Sequence, residues 1–265
     1  MVPLKYVVKE TSRYKKTHSA TFYKDKKDLY KVIEKNCLLY KNIIDHINYN
    51  YSIHNDVSDN ILLPKDLISD SNDNTRGYKC PFIKGHNLEN LGKDLDTKEK
   101  ITILNQLTNL LKEINNYLVV GDINLSNCMY DKDLNSYLID FDLSTRLDEE
   151  PCRMALYNFF KKSTKKEILS NLNTDKLKMA IICASVLYHN DFEASFVSLL
   201  PYTKWNEFYQ YTKNSYLKDY FKYAFKCLNN GEEISEYLYL PNDNNFSSLI
   251  DEDYKNIRKL AKKCQ

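Results

Sequence analysis

One stretch of the chain, Gly121-Asp122-Ile123-Asn124-Leu125-Ser126-Asn127, is followed after a short spacer by Leu138-Ile139-Asp140-Phe141-Asp142. An asparagine stands five positions after Asp122, and an aspartate stands thirteen positions after that asparagine. Between them, residues 127–130 and 136–139 predict two short strands around the polar turn 131–135. Because a hairpin of that length brings its ends together, we expect Asn127 and Asp140 to lie side by side.

These three polar side chains suit phosphoryl transfer. The reaction needs little covalent help from a protein, which supplies one carboxylate for the attacking hydroxyl and two oxygen ligands for Mg²⁺ held against the phosphates. Asp122 fits the first role, and Asn127 with Asp140 fits the second. Asp and Asn also make ordinary loop hydrogen bonds, which is the alternative for each residue taken singly. The apolar-flanked segment 138–142 at the matching distance favours the phosphoryl-transfer interpretation.

The same residues resemble the protein-kinase superfamily, and the resemblance extends over most of the chain. Asp122 matches the catalytic-loop aspartate, Asn127 the magnesium-binding asparagine, and Asp140 the metal-binding aspartate that opens the activation segment. The resemblance implies ATP as a ligand and Mg²⁺ (or Mn²⁺) as the accompanying metal.

The order of predicted elements agrees with that resemblance. Strands are predicted at 6–9, 20–23, 29–33, 60–68 and 77–80, with a helix from about Glu34 to Ile47 between the third and the fourth. Beyond Pro81 the pattern turns helical, opened by the capping-box sequence 96–99. The resemblance therefore implies an α+β, bilobal fold: a small antiparallel-sheet N-lobe over 1–80, a hinge over 81–85 and a mainly helical C-lobe over 86–265.

Four further helices are predicted in the second half of the chain. Residues 175–187 are apolar nearly all round after the first turn, which is typical of a buried helix. Amphipathic patterns predict helices at 205–212, at 216–228 with a stop at Asn230-Gly231, and at 251–262. Asp175, which opens the first of these helices, resembles the aspartate that hydrogen-bonds the catalytic-loop backbone. An ordinary aspartate at a helix N-terminus is the alternative.

Lys31, in the predicted strand 29–33, resembles the lysine that holds the α- and β-phosphates of ATP. A surface lysine in a lysine-rich hairpin is the alternative. The resemblance also implies a helix glutamate that pairs with this lysine. Glu34 is the favoured candidate, while the spacing of the apolar residues places Tyr40 in that position and Asp45 is a third option.

Cys80-Pro81-Phe82-Ile83-Lys84-Gly85 resembles the hinge that binds adenine. Cys80 takes the gatekeeper position. Pro81 lacks an N–H, but its carbonyl can accept a hydrogen bond from the adenine amino group, while the Ile83 N–H can donate to the ring.

Several features depart from the kinase pattern. No glycine occurs between Thr11 and Ser19, so any cover over the phosphates comes from the bulkier residues 17–20. His-Arg-Asp is replaced by Val120-Gly121-Asp122, which resembles the His-Gly-Asp of small-molecule kinases. Asp-Phe-Gly is replaced by Asp140-Phe141-Asp142.

Composition sets the broad class and the compartment. With 265 residues, of which 43% are hydrophobic, the chain can bury a sizeable core, and its net charge of +2 does not indicate nucleic-acid binding. Seven scattered cysteines without a C-x-x-C pair predict neither a disulfide framework nor a zinc site. No apolar run reaches the length of a membrane span and no apolar leader is evident, so we expect a cytoplasmic protein.

Three functions follow from these patterns. The leading one is an ATP- and Mg-dependent kinase that transfers the γ-phosphoryl group to a hydroxyl, with Ser or Thr of a protein as the favoured acceptor. Gly121-Asp122 motivates a small-molecule phosphotransferase of the aminoglycoside or choline kinase type. The missing glycines and histidine motivate a pseudokinase that acts as a binding module, although such a module has no chemical need for Lys31, Asp122, Asn127 and Asp140 together.

Overall fold

The computed structural model describes residues 1–37, 39–91, 95–149, 170–188, 214–250 and 253. The chain divides into two compact units. The first consists of Met1–Lys84 together with Leu138–Ser144, and the second of the remaining residues. The boundary between Lys84 and Gly85 lies in the segment predicted as a hinge. Residues 138–144, which the sequence analysis assigned to the second lobe, belong to the first unit.

The first unit contains a six-stranded sheet. Its strands are β1 (Val2–Pro3), β2 (Ser12–Lys16), β3 (Ala20–Lys24), β4 (Asp28–Ile33), β5 (Asp66–Ser69) and β6 (Thr75–Pro81). They lie in the order β1-β5-β6-β4-β3-β2. β1 pairs with β5 in parallel, and every other pair is antiparallel. Together with the helices of both units, this sheet confirms a mixed α+β fold.

Two helices accompany the sheet, and each corrects a prediction. Residues 6–9, predicted as a strand, lie in helix α1 (Leu4–Glu10), where Val7 is the buried side chain and Thr11 ends the helix through a backbone bond to the Val7 carbonyl. Helix α2 (Tyr40–Ser52) begins later than the predicted Glu34. Backbone bonds from Cys37 to Glu34 and from Tyr40 to Cys37 form turns before it.

The predicted strand 60–68 is also shorter in the structure. Only its last part forms a ladder strand, β5, while Ile61 makes an isolated bridge to Leu138. The N–H of Leu62 donates to the Leu138 carbonyl, 2.9 Å away. These contacts tie the returning segment 138–144 to the first unit.

The core of the first unit decides which way Lys31 points. Apolar residues of the sheet and of α2 pack together, among them Ile33, Ile43 and Ile47, with Leu29 against them. Because side chains alternate along a strand, Lys31 shares the face of Leu29 and Ile33 and is buried. Tyr30 and Val32 pack in the cluster on the opposite face.

The second unit contains three long helices in the described residues: α3 (Thr97–Ile114), α4 (Leu172–Leu187) and α5 (Ser215–Asn230). α3 begins with the predicted capping box, in which Asp96 and Glu99 exchange side-chain and backbone hydrogen bonds. α5 ends at Gly231, whose φ of 71° provides the left-handed C-cap. These three predicted helices are confirmed, whereas 205–212 and most of 251–262 lie outside the described residues.

The described residues between 85 and 146 contain five short strands. They are β7 (Gly85–Asn87), β8 (Leu118–Val119), β9 (Cys128–Asp131), β10 (Ser136–Leu138) and β11 (Thr145–Arg146). β10, β9 and β7 form one sheet, and β11 pairs with β8. β9 and β10 form the hairpin that the sequence predicted around the turn 131–135, so that prediction is confirmed.

Candidate functional site

In the first unit, one buried ammonium group meets two carboxylates. Lys31 Nζ lies 2.7 Å from Asp140 Oδ1 and 2.7 Å from Asp142 Oδ2. Lys31 comes from β4, and both aspartates come from the returning segment. The two carboxylates differ in exposure, because the Asp140 side chain is 40% exposed and that of Asp142 only 9%. Asp140 is thus open to solvent, while Asp142 lies inside the unit.

The electrostatics of this cluster keep Lys31 charged. Burial alone would lower the pKa of Lys31, but the attraction of Asp142 and Asp140 outweighs it, and the pKa is raised. Burial raises the pKa of Asp142, against the opposing effect of Lys31. Burial also raises the pKa of Tyr78, whose hydroxyl is hydrogen-bonded to Asp142. The cluster therefore holds a buried cation whose charge is balanced by carboxylates.

Helix α2 holds the backbone of the segment that carries these aspartates. The Nδ1 of buried His46 lies 3.1 Å from the Asp142 carbonyl oxygen. Asn50, also buried, donates from Nδ2 to the Phe141 carbonyl at 2.9 Å and to Ser144 Oγ at 3.2 Å. The segment is fixed from both ends, since Leu138 pairs with Ile61.

Asp140 has an unusual backbone conformation, with φ at 64°. L-residues rarely adopt this left-handed region, although Asp and Asn tolerate it better than most. Strained residues of this kind are enriched at functional sites. The strain turns the chain at the residue whose carboxylate contacts Lys31.

Glu34, the favoured partner of Lys31 in the sequence analysis, lies elsewhere. Its carboxylate accepts a hydrogen bond from Thr21 Oγ1 at 2.6 Å and lies 3.7 Å from Lys16 Nζ. Its position before α2, in the turn that follows β4, directs it to the neighbouring strand. The other two options also lie apart from Lys31: the Tyr40 hydroxyl donates to the Thr75 carbonyl, and Asp45 is exposed.

The predicted hinge residues lie at the end of β6. Cys80 is buried and Pro81 and Ile83 are half-buried. The Phe82 N–H donates to the Lys27 carbonyl at 2.7 Å. The rings of Phe82 and Tyr14 pack edge to face. Lys24 Nζ lies over each of the two rings, 4.4 Å from the centroid of Tyr14 and 4.8 Å from that of Phe82.

In the second unit, the loop over 120–127 is organised around the backbone of Asp122. The Asp122 carbonyl accepts hydrogen bonds from Asn127 Nδ2 at 2.9 Å and from Asn124 Nδ2 at 3.1 Å. Asn124 Oδ1 in turn caps the short 3₁₀ turn Leu125–Asn127 through the N–H groups of Ser126 and Asn127. Because Asn127 uses its amide nitrogen for this bond, its amide oxygen keeps its capacity to accept hydrogen bonds or to bind a cation.

Asp175 anchors the start of the same loop. Its carboxylate accepts from the Val120 N–H at 2.7 Å, from the Gly121 N–H at 3.0 Å and from Asn115 Nδ2 at 3.1 Å. Burial raises the pKa of Asp175 to about 6, against the effects of Lys178 and these hydrogen bonds. The hydrogen bonds confirm the prediction that Asp175 holds the backbone next to Asp122.

Gly121 and Lys178 complete the anchoring. Gly121 has φ at 73°, a conformation that favours glycine over any L-residue. Lys178, one turn after Asp175 in α4, donates to the Gly121 carbonyl. The conformation of the loop before Asp122 is therefore set by a glycine and by two charged residues of a buried helix.

The structure brings some of the predicted residues together and reveals others. Lys31 meets Asp140, and Asn127 meets the Asp122 backbone, whereas Glu34 does not meet Lys31. Sequence reasoning missed the roles of Asp142, His46, Asn50, Asn124 and Lys178. A polar residue on the apolar face of a helix can indicate a buried hydrogen-bonding role. His46 and Asn50 show this pattern, because they lie on the buried face of α2 together with Ile43 and Ile47.

Two features are absent from the described residues. No group of three or more His, Cys, Asp or Glu side chains in that part of the chain is arranged to hold a metal ion. No helix there is long and apolar enough to cross a membrane. Comparisons of the chain with known protein families and with curated proteins gave no match.

Proposed function

We propose that the protein is an ATP- and Mg-dependent kinase that transfers the γ-phosphoryl group to a hydroxyl, with Ser or Thr of a protein as the acceptor. The observation that carries the proposal is the 2.7 Å contact between Lys31 Nζ and Asp140 Oδ1, which joins residues 109 positions apart in the chain. The kinase resemblance assigns Lys31 to the nucleotide phosphates and Asp140 to the metal held against them. The hydrogen bonds from Val120 and Gly121 to Asp175 support it independently.

The donor atoms suit the proposed metal. Asp140 supplies a half-exposed carboxylate and Asn127 an amide oxygen, which are hard ligands of the kind that Mg²⁺ prefers while it keeps waters and binds phosphates. A site of this kind needs few protein ligands, since the nucleotide supplies the others. Bound Mg²⁺ would neutralise charge on the phosphates during transfer.

Each residue then has a defined task. The ammonium of Lys31 binds the α- and β-phosphates, and the neighbouring carboxylates of Asp142 and Asp140 keep it charged. The carboxylate of Asp122 orients the acceptor hydroxyl and takes its proton. The Pro81 carbonyl and the Ile83 N–H bind adenine. Asp175, Gly121 and Lys178 fix the backbone that presents Asp122.

Nucleotide binding provides the first test. Calorimetry with ATP and Mg²⁺ is expected to give saturable binding that is lost in excess EDTA. Asp140→Ala should weaken Mg-nucleotide binding, and Asp122→Ala should not. Asp133→Ala, at an exposed residue of the hairpin turn, is the matched control. Equal affinity with and without EDTA would contradict the metal role.

Turnover provides the second test. With radiolabelled ATP, Asp122→Ala is expected to lower phosphoryl transfer by about 10²–10⁴-fold, the usual contribution of a general base, without loss of the folded circular dichroism spectrum. Parental turnover in this variant would refute the assignment of Asp122.

A small-molecule phosphotransferase is the second candidate, favoured by Gly121 beside Asp122. The exposed patch at Asp148 and Glu149 is a weak site for a cationic substrate, because Glu149 is already paired with Arg146 at 3.5 Å. Label entering proteins of a matched cell lysate supports the protein-kinase proposal. Robust turnover of an aminoglycoside or choline, with no label in any protein, would favour this second candidate. Absence of turnover with retained nucleotide binding would indicate a pseudokinase.

A further inference from the structure

The second carboxylate at Lys31 is held more firmly than the first. Asp142 is buried, lies 2.7 Å from Lys31 Nζ and is hydrogen-bonded to the hydroxyl of Tyr78. Tyr78 is the neighbour of Lys31 across the β4–β6 ladder. The backbone carbonyl of Asp142 lies 3.1 Å from His46 Nδ1 of α2. Side chain and backbone of Asp142 are thus both fixed.

Helix α2 offers no carboxylate to Lys31. Its buried positions are Ile43, His46, Ile47 and Asn50, and its single acidic residue, Asp45, is exposed. What α2 contributes is hydrogen bonding to the backbone of Phe141 and Asp142. The hydrogen bonds of α2 are therefore made to the returning segment, which carries the carboxylates that contact Lys31.

We propose that Asp142 is the positioning residue for Lys31, in place of a helix glutamate, and that α2 acts through His46 and Asn50 on the backbone that carries Asp142. This inference rests on the proposed function, because it assigns Lys31 to the nucleotide phosphates. Asp140 and Asp142 then have different tasks: Asp140 serves the metal, and Asp142 holds the lysine.

Asp140 and Asp142 need different tasks because Lys31 and Mg²⁺ would otherwise compete for the Asp140 carboxylate. A buried ammonium group without a counter-charge is unfavourable, so Lys31 requires a carboxylate at all times. Mg²⁺ held by Asp140 would share the charge of this carboxylate and would weaken its contact with Lys31. Asp142, which is shielded from solvent, keeps Lys31 charged and in place. Without Asp142, Lys31 and Mg²⁺ would compete for the same carboxylate.

Asp142→Asn tests this division of tasks in the full-length protein. Because Lys31 would lose the charge of the carboxylate that holds it in place, affinity for ATP with Mg²⁺ should fall about tenfold or more. The Mg²⁺ concentration for half-maximal ATP binding should rise, which a purely structural defect would not produce selectively. Asp142→Glu should recover part of the affinity. Asp133→Asn is the control and should match the parent.

A chemical readout of Lys31 does not depend on activity. The rate at which an acylating reagent modifies Lys31, followed by mass spectrometry of the peptide, reports how firmly its charge is held. Asp142→Asn should raise that rate. Tyr78→Phe keeps the carboxylate and removes its hydrogen bond, so it should cause a smaller shift in the same direction and serves as the deciding variant if Asp142→Asn unfolds.

The outcomes separate the two proposals. If the parent protein binds no ATP with Mg²⁺, the proposed function fails and this inference fails with it. If the parent binds ATP with Mg²⁺, the variant Asp142→Asn decides the inference, or Tyr78→Phe where Asp142→Asn is unfolded. Unchanged Mg²⁺ dependence of ATP binding together with an unchanged rate of Lys31 labelling in that variant would overturn the inference alone.

Discussion

At the scale of single residues, Asp175 shows how burial and hydrogen bonds together determine the pKa of a carboxyl group. Three N–H donors and the nearby Lys178 surround a fully buried carboxylate. Burial dominates, and the pKa rises to about 6 from its ordinary value of 3.8. A raised pKa means that the folded state binds a proton more tightly than the unfolded chain does.

The pH dependence of stability follows with a definite sign. The stabilising contribution of Asp175 is complete below its unfolded pKa of 3.8 and is lost as the pH rises through about 6. The difference in unfolding free energy between the parent and Asp175→Asn should therefore fall by about 3 kcal/mol across this window. Urea titrations at a series of pH values measure it. Parallel pH profiles for the two proteins would contradict the prediction, and Asp133→Asn should give such parallel profiles.

Asp140 shows a different kind of residue effect, because its backbone is strained at φ 64°. Glycine relieves that strain and alanine does not, so Asp140→Gly should be more stable than Asp140→Ala by about 1 kcal/mol. Both variants lose the same carboxylate, which removes the charge from the comparison. At Asp133, which is outside the positive-φ set, alanine should be at least as stable as glycine. Chemical denaturation of the four variants measures which of glycine and alanine is more stable at each position.

At the scale of elements, the position of Lys31 depends on the close approach of β4 and β6. A Cβ added at Gly77 would lie 1.9 Å from the Lys31 carbonyl oxygen, so the two strands have no room for a side chain there. Gly77→Ala should cost about 3 kcal/mol or more, because a backbone atom has to move.

The matched variant Gly231→Ala meets nothing within 4 Å and should cost about 1 kcal/mol from its left-handed φ alone. Thermal unfolding ranks the two variants. If Gly77→Ala were the milder change, the packing of β4 on β6 would be looser than the structure has it.

The elements also show where sequence reasoning succeeded and where it failed. The capping box at Asp96 was predictable because its hydrogen bonds join residues three positions apart. The helix at Leu4–Glu10 was not, because a short run such as Tyr6-Val7-Val8-Lys9 fits either structure and the packing of Val7 decides it.

The site shows the same limit. Lys31 and Asp140 were found through a motif, but Asp142 was missed as the partner of Lys31 because the two residues are far apart in the sequence and their contact depends on a buried geometry. Glu34 was preferred because it is the only glutamate in the region, yet the turn after β4 directs it to Thr21. Contacts between distant residues, unlike helix caps, require the fold to be known.

At the scale of the whole molecule, the first unit is assembled from two separate parts of the chain. Residues 138–144 contribute the bridge of Leu138 to Ile61, both carboxylates at Lys31 and the backbone acceptors of His46 and Asn50. The first unit is thus complete only after the chain has passed through residues 85–137 of the second. Its stability should depend on the returning segment.

A fragment of residues 1–84 should accordingly fail to fold. It leaves Lys31 buried without its carboxylates, at a cost of about 3–5 kcal/mol, which approaches the whole stability of a small domain, about 5 kcal/mol at the lower end. Joining residues 138–144 to this fragment through a flexible Gly/Ser linker should restore a cooperative unfolding transition by circular dichroism. The same fusion with Asp140→Asn and Asp142→Asn should restore less, because it supplies the strand bridge without the charges. A cooperative transition in the fragment 1–84 alone would show that the sheet and α2 suffice, and that the returning segment is held by the first unit without stabilising it.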